Sequence, residues 1–474
     1  MAPTKNVALK TGLAIVTCVA VLVVYRRYVD PAKGISPAIF LEAAKVKLFR
    51  HAPSPATPPV VKTVQPAGAR PEISPYFSDD SGALDSFFAE LHALELPARD
   101  GPPQVVTVLH YGDSPTTADL ITGDVRELLQ KRFGDAGHGF LLTAKPWAWY
   151  QHRGVDISDK GWHVSTAVGK QREETYGIGG ASFEGDSDAL SHITLKGADQ
   201  MSMEVAYLAR PEAGKVSTLA NGAVVDLFST AGDTVQPAWH TVALPAGTRS
   251  VDLKPASGPV RLDGETFRTG GRGLVYDSLG LNGASTTVLS NGFNAASWTA
   301  ELQHEQPRLV IINYGTNESG FGSYVDKYYE PSLRTAIKRI KAALPGVPIL
   351  VMSPMDRGKR AGVDEIETYD TIPRIVAIQK RVAAEQNCAF FDTFDAMGGD
   401  GTMARWYTGH PRLVAGDLIH PTPQGASMVA QLLVKDLLTG YDRYLQRQSD
   451  YHAPAPPGPA NAPSATPSAA SKAP

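Results

Sequence analysis

The stretch Val105-Val106-Thr107-Val108-Leu109-His110-Tyr111-Gly112-Asp113-Ser114 decides the fold. Its first five residues are almost wholly apolar, the composition of a strand covered on both faces of a parallel sheet. Gly112 marks a turn. Beyond it Leu120, Ile121, Val125, Leu128 and Leu129 recur at helical spacing, which predicts a helix from about Thr117 to Phe133. A strand that runs through a glycine turn into a helix puts Ser114 at the carboxyl edge of the sheet, the reaction edge of open α/β folds. The start of the helix adds a field that favours negative charge developing there.

The same rhythm recurs further along. Leu84, Phe87, Phe88, Leu91 and Leu94 predict a helix over 83–96, before the first strand. Strands are expected at 309–313, 348–352 and 389–392, and helices at 324–343, 371–386 and 423–438. Strands alternating with helices predict an α/β fold with a parallel sheet covered on both faces. From about Val155 to Arg272 this rhythm breaks. The segment is dense in Gly, Ser and Thr, with short runs at 192–195, 203–209, 223–228, 240–244 and 250–253 separated by turn residues. That is the pattern of a β-sandwich, inserted after the first βα unit of the α/β domain.

The 474 residues are too many for one ordinary core, so two folded units with tails are expected. A net charge of -3 provides no basic field for nucleic acid. The 2 cysteines, Cys18 and Cys388, give no disulfide framework. Near the N-terminus Lys5 and Lys10 precede an uncharged stretch, Thr11 to Tyr25, closed by Arg26 and Arg27. It suits a signal segment or, extended back to Val7 with Lys10 snorkelling, a membrane helix, and no small-residue cleavage site follows it directly. The expectation is a membrane-anchored protein whose body is exported to the periplasm or extracytoplasmic space. The expected division is anchor or signal 1–30, linker 31–76, α/β domain 77–154, β-sandwich 155–272, α/β domain 273–445 and a Pro/Ala-rich tail 446–474.

The chemistry lies in two distant segments. Asp417-Leu418-Ile419-His420 precedes Pro421 and a helix, so one loop presents both side chains. An aspartate can hold one imidazole nitrogen and set the tautomer, leaving the other nitrogen to act as base on Ser114. Two look-alikes serve as internal controls. Gly185-Asp186-Ser187 sits in the insert with no apolar strand before it, and Asp135-Ala136-Gly137-His138 sits in a glycine-rich turn; both read as structural. Asn317, in Tyr314-Gly315-Thr316-Asn317-Glu318, lies just past the apolar run 309–313. Its amide can donate where an oxyanion forms at the same edge. His110, Tyr111, Tyr314 and Met355 flank these motifs or a neighbouring strand end, either shaping a pocket or packing the core. The G-x-S-x-G elbow is absent.

With these residues the chain resembles the SGNH (GDSL-like) hydrolases, named for four blocks that carry Ser, Gly, Asn and His. The resemblance covers about 105–150 and 273–441. It implies a flavodoxin-like three-layer α/β/α fold, with Ser114 as nucleophile and Asp417 and His420 completing the triad. It also implies an oxyanion hole built from the N–H of Ser114, a backbone N–H of the second block and the amide of Asn317. In Tyr276-Asp277-Ser278-Leu279-Gly280-Leu281-Asn282-Gly283-Ala284 the second-block glycine is assigned to Gly283, with Gly280 as the alternative. The inserted sandwich looks like the carbohydrate-binding-like module of peptidoglycan O-acetylesterases. This implies a serine acetylesterase acting on an acetylated glycan of the cell envelope without metal or cofactor. An O-acetyltransferase, a lipase or thioesterase, and an inactive anchored glycan-binding protein remain as alternatives.

Overall fold

Five strands of the central sheet run parallel because each is followed by a helix that returns the chain to the same edge. The order is Phe77–Ser78, Ala389–Phe391, Ile349–Met352, Leu309–Asn313, Val105–Gly112, Gly273–Gly280, with only the short first strand antiparallel. These coordinates are a computed structural model that describes residues 74–452, apart from 99, 169–174, 197–198 and 363–364. The anchor, nearly all of the linker and the tail beyond residue 452 lie outside the described residues. Among the described residues no helix is long and apolar enough to cross a membrane.

Helices cover both faces of the sheet. On one face Phe87, Phe88 and Leu91 from Asp85–Glu95, Val125 and Leu129 from Ile121–Phe133, and Val429, Leu433 and Leu437 from Pro423–His452 bury against Val106, Val108 and Ile311. On the other face Leu109, Val310 and Ile312 meet Trp298 and Leu302 from Ala295–Glu305, and Leu333, Ile337 and Ile340 from Glu330–Ala343. Each such side chain contributes about 1.5–3 kcal/mol when fully buried.

The first expected helix is interrupted. Ser114–Thr117 forms one turn, and the main helix restarts at Ile121. Asp119 sits between them at φ +49°. Its buried carboxylate accepts from Thr122 Oγ1 at 2.6 Å and from the Arg153 backbone N–H at 2.7 Å, and pairs with Arg126. The C-terminal helix continues to His452, so residues 446–452 are helical rather than part of the tail. Tyr441 and Tyr444 pack on Phe88, and Arg447 pairs with Asp85, which holds this extension to the body.

The strands after the first βα unit form two antiparallel sheets. One has the order Ala223–Ser229, Lys215–Ala220, Ser250–Ser257, Leu190–Leu195, Val155–Lys160. The other has the order Gln236–Ala243, Ser202–Ala209, Val260–Arg268, Ala181–Gly185, His163–Thr166. Their inner residues, among them Ile157, Ile193, Val205, Val216 and Phe267, belong to one core. The expected boundary at 154/155 falls too late. Gly139–Leu141 already pairs with Val260–Arg268, in register Gly139↔Phe267, so the chain enters and leaves this region side by side.

Nor is the region a detached module. A Cβ on Gly180 would lie 2.6 Å from Leu281 and 3.2 Å from Phe293, both in the α/β part. Helix Ala295–Glu305 lies against the second sheet, where His304 stacks on Trp239 and hydrogen-bonds Glu204 at 2.9 Å. The two parts therefore share buried surface, and excising 155–272 would open a common core.

Candidate active site

Register brings the site together. Gly112 pairs with Gly280 on one side and Asn313 on the other, so three strands end at one level beneath the loops that carry Ser114, Gly283 and Asn317. At Gly112 an added Cβ would fall 2.2 Å from Thr116 Oγ1, so only glycine lets the chain fold back into the Ser114 turn. Asp113 leaves the strand conformation (φ -102°, ψ -143°), and Ser114 opens the short helical turn.

Ser114 Oγ lies 2.7 Å from His420 Nε2. His420 Nδ1 lies 2.6 Å from Asp417 Oδ2. The second contact assigns the proton to Nδ1, which leaves Nε2 to accept from the serine hydroxyl. Asp417 Oδ1 also accepts from the backbone N–H groups of Ile419 and His420, at 3.0 and 3.1 Å. The three-residue spacing thus folds the loop around the aspartate. Leu418 turns it at φ +63° and is buried. The bond to Asp417 raises the His420 pKa above its usual value, while burial opposes it. Burial would raise the Asp417 carboxyl, but the bonds from His420 and Ile419 hold it below its usual range. Both side chains keep solvent contact, at 46% exposure for Asp417 and 42% for His420.

The two candidate glycines differ in kind. A Cβ on Gly280 would meet the Thr117 nitrogen at 2.1 Å, so Gly280 is the point where its strand packs on the Ser114 turn. Gly283 is exposed at φ +74°, with only Val168 at 3.9 Å from a built Cβ; its backbone conformation, not crowding, asks for glycine. Asn317 Nδ2 donates to the Ala284 carbonyl at 2.7 Å. A primary amide has two hydrogens, so one remains for an oxyanion.

Glu318, overlooked beside Asn317, strengthens that link. It is buried, and one carboxyl oxygen accepts from the Thr286 backbone N–H at 2.7 Å and from Thr286 Oγ1 at 2.9 Å. Burial raises its pKa, opposed by those bonds. The loops of Gly283 and Asn317 are therefore tied at two points. Arg357, which carries no sequence signal, donates to the Thr316 carbonyl at 2.9 Å and to Ser319 Oγ at 3.0 Å, bracing the same loop. Asp113, next to the serine, is buried, and desolvation pushes its pKa up to about 7 against a hydrogen bond from Thr316.

The look-alike motifs are elsewhere. Asp186 makes an exposed turn in which its carbonyl accepts from the Ala189 N–H, and Ser187 is exposed. Asp135 Oδ1 caps the Gly137 N–H at 2.9 Å, and His138 packs edge-on against His152. His110, Tyr111, Tyr314 and Met355 are all buried in the core. His110 bonds the Tyr276 hydroxyl at 2.7 Å, and the Tyr111 hydroxyl accepts from Trp298 at 3.1 Å.

Residues 247–428 match the family model of GDSL-like lipases and acylhydrolases. That match, together with the fold, supports an SGNH-type esterase. The match spans Gly283, Asn317, Asp417 and His420 but stops short of Ser114, which the two antiparallel sheets separate from the rest of the GDSL-like domain. A solved peptidoglycan O-acetylesterase superposes with a TM-score of 0.63 at 21% identity, covering 77% of this chain and 98% of that one. At that identity the likeness speaks for the fold alone. A salicylyl-acyltransferase from a tetracycline biosynthetic pathway (TM-score 0.28, 13% identity, 63% of this chain and 96% of that one) overlaps too little to carry an argument. So does an acetyl xylan esterase (TM-score 0.27, 18% identity, 35% of this chain and 79% of that one). No curated protein shows significant sequence similarity to the chain.

Proposed function

We propose that the protein removes O-acetyl groups from a cell-envelope polysaccharide, with peptidoglycan foremost, by a two-step serine mechanism. The observation that carries this reading is the continuous line Ser114 Oγ, His420 Nε2, His420 Nδ1, Asp417 Oδ2, at 2.7 and 2.6 Å. His420 takes the proton of Ser114 as its oxygen attacks the acetyl carbonyl. The oxyanion is met by the N–H groups of Ser114 and Gly283 and the free hydrogen of Asn317. His420 then gives its proton to the leaving sugar hydroxyl, which departs as the acetyl-serine forms. Water, deprotonated by His420, attacks this ester, and acetate leaves as Ser114 is regenerated.

The acetylated glycan is favoured by the likeness to a peptidoglycan O-acetylesterase, which extends over 77% of this chain and 98% of that one. The apolar segment between Lys10 and Arg26 supports an exported, membrane-tethered placement where such a polymer lies. The test is acetate release from O-acetylated peptidoglycan beside acetylated xylan. Release from neither substrate ends the reading.

A further inference from the structure

Trp149 is a large apolar side chain left 47% exposed beside the site. An exposed tryptophan alone means little. Its setting distinguishes it. The indole N–H donates to the Asn282 side-chain oxygen at 3.2 Å, and Asn282 precedes Gly283. Two residues on, the Gln151 N–H donates to the Thr117 carbonyl at 3.2 Å, within the turn that starts at Ser114. The Arg153 N–H donates to Asp119 at 2.7 Å, and the Arg153 side chain pairs with Asp124 and Glu127. Tyr150 is buried, and its hydroxyl accepts from the Leu142 N–H at 2.8 Å. The segment is thus fastened to the Ser114 turn and to the Gly283 loop, while about half of the Trp149 side chain stays open to solvent. A rigid, open aromatic face loses little freedom on binding, so its contact area is available at low entropic cost.

A pyranose ring offers a matching shape, with its axial C–H bonds forming an apolar face and its hydroxyls directed outward. We propose that Trp149 is the stacking platform of a glycan subsite, holding a sugar of the polymer so that its acetyl group reaches Ser114. This rests on the polysaccharide reading above and adds a specificity-determining residue to it. Trp149 touches the sugar chain and not the acyl group, so it acts on polymer far more than on a small ester.

The experiment compares kcat/KM on O-acetylated peptidoglycan and on p-nitrophenyl acetate for the unsubstituted protein, Trp149→Ala, Trp149→Phe and, as an exposed apolar control on the edge strand Ala223–Ser229, Val224→Ala. Trp149→Ala is expected to lower the polymer-to-small-ester ratio about tenfold or more, mainly through KM, the scale of losing one aromatic anchor. Trp149→Phe should recover most of that loss, and Val224→Ala should match the unsubstituted protein. A ratio unchanged in a folded Trp149→Ala variant overturns the subsite while leaving the esterase reading intact. Equal losses on both substrates also overturn it, because they would mean that Trp149 shapes the acyl site. If the unsubstituted protein hydrolyses the small ester but no acetylated glycan, the polysaccharide reading falls and the subsite with it.

Discussion

Replacing Asp417 with Asn separates two things that the carboxylate does. The carboxylate fixes the His420 tautomer through the 2.6 Å contact to Nδ1 and raises the His420 pKa. An amide can occupy the same volume and still accept from the Ile419 and His420 backbone N–H groups. Its NH2 can also donate to Nδ1, which would move the imidazole proton to Nε2, the wrong nitrogen for taking a proton from Ser114. Loss of the correct tautomer in such a triad costs about 10⁴ in kcat. Here the Asp417 side chain is 46% exposed, so solvent can partly replace it, and a loss of roughly 10²–10⁴ is expected. The pH dependence gives an independent sign. The base must be neutral, so activity rises with pH through the His420 pKa. With the carboxylate gone that pKa falls, and the acid limb of kcat/KM should move to lower pH as the plateau drops. The assay is a pH–rate profile on p-nitrophenyl acetate from about pH 5 to about pH 9 for both proteins. A plateau reduced less than about tenfold, together with an unmoved acid limb, would show that Asp417 does not serve His420 in turnover.

Asn317→Ala should lower kcat by roughly 10²–10³ with little change in KM, since the free amide hydrogen acts on the transition state; steady-state kinetics that show a KM effect alone would reassign Asn317 to substrate binding. Ser187→Ala should leave turnover within about twofold of normal, because that serine lies in an exposed turn and His420 Nε2 is engaged by Ser114. The buried carboxyls of Asp263 and Glu265 are each pushed up to about 8 by burial, so they hold protons in the folded state that the unfolded chain releases near its ordinary values. Their contribution is complete below those unfolded values and is lost as pH rises through about 8. The Tm should therefore fall from mildly acidic to mildly alkaline pH, and Asp263→Asn combined with Glu265→Gln should flatten that fall in a calorimetric series; an unchanged slope would contradict the assignment.

The parallel sheet was legible because its strands are apolar on both faces. Leu309–Asn313 ends where its composition says it should, and Ile349–Met352 and Ala389–Phe391 differ from expectation by one residue each. The Ser114, Asp417 and His420 placement was legible for a related reason: a glycine turn after a buried strand and a D-x-x-H loop each constrain a short stretch of backbone. What escaped notice depends on contacts across the chain. Val260–Arg268 is a nearly fully buried strand that was not among the expected strands, because Arg261, Asp263 and Glu265 interrupt its apolar residues. Its carboxyls are tolerated because Glu265 meets Thr143 at 2.7 Å and burial holds both acids toward the protonated form. Gly139–Leu141 joined the inserted sheet through pairing more than a hundred residues away, which no local pattern encodes. Glu318 and Arg357 brace the Asn317 loop from positions whose roles emerge only once Thr286 and Ser319 are brought beside them. The break at Asp119 replaced part of a predicted helix because a buried carboxylate there gathers Thr122, Arg126 and the Arg153 backbone.

The central claim is that Ser114 attacks an acetyl ester carried by a cell-envelope glycan. The most direct measurement is acetate released from purified O-acetylated peptidoglycan by the unsubstituted protein and by Ser114→Ala, with folding of both verified by thermal melting. The account predicts steady release by the former and a rate lower by about 10⁴ or more for the latter. Comparable release by folded Ser114→Ala, or none from the unsubstituted protein, would contradict it.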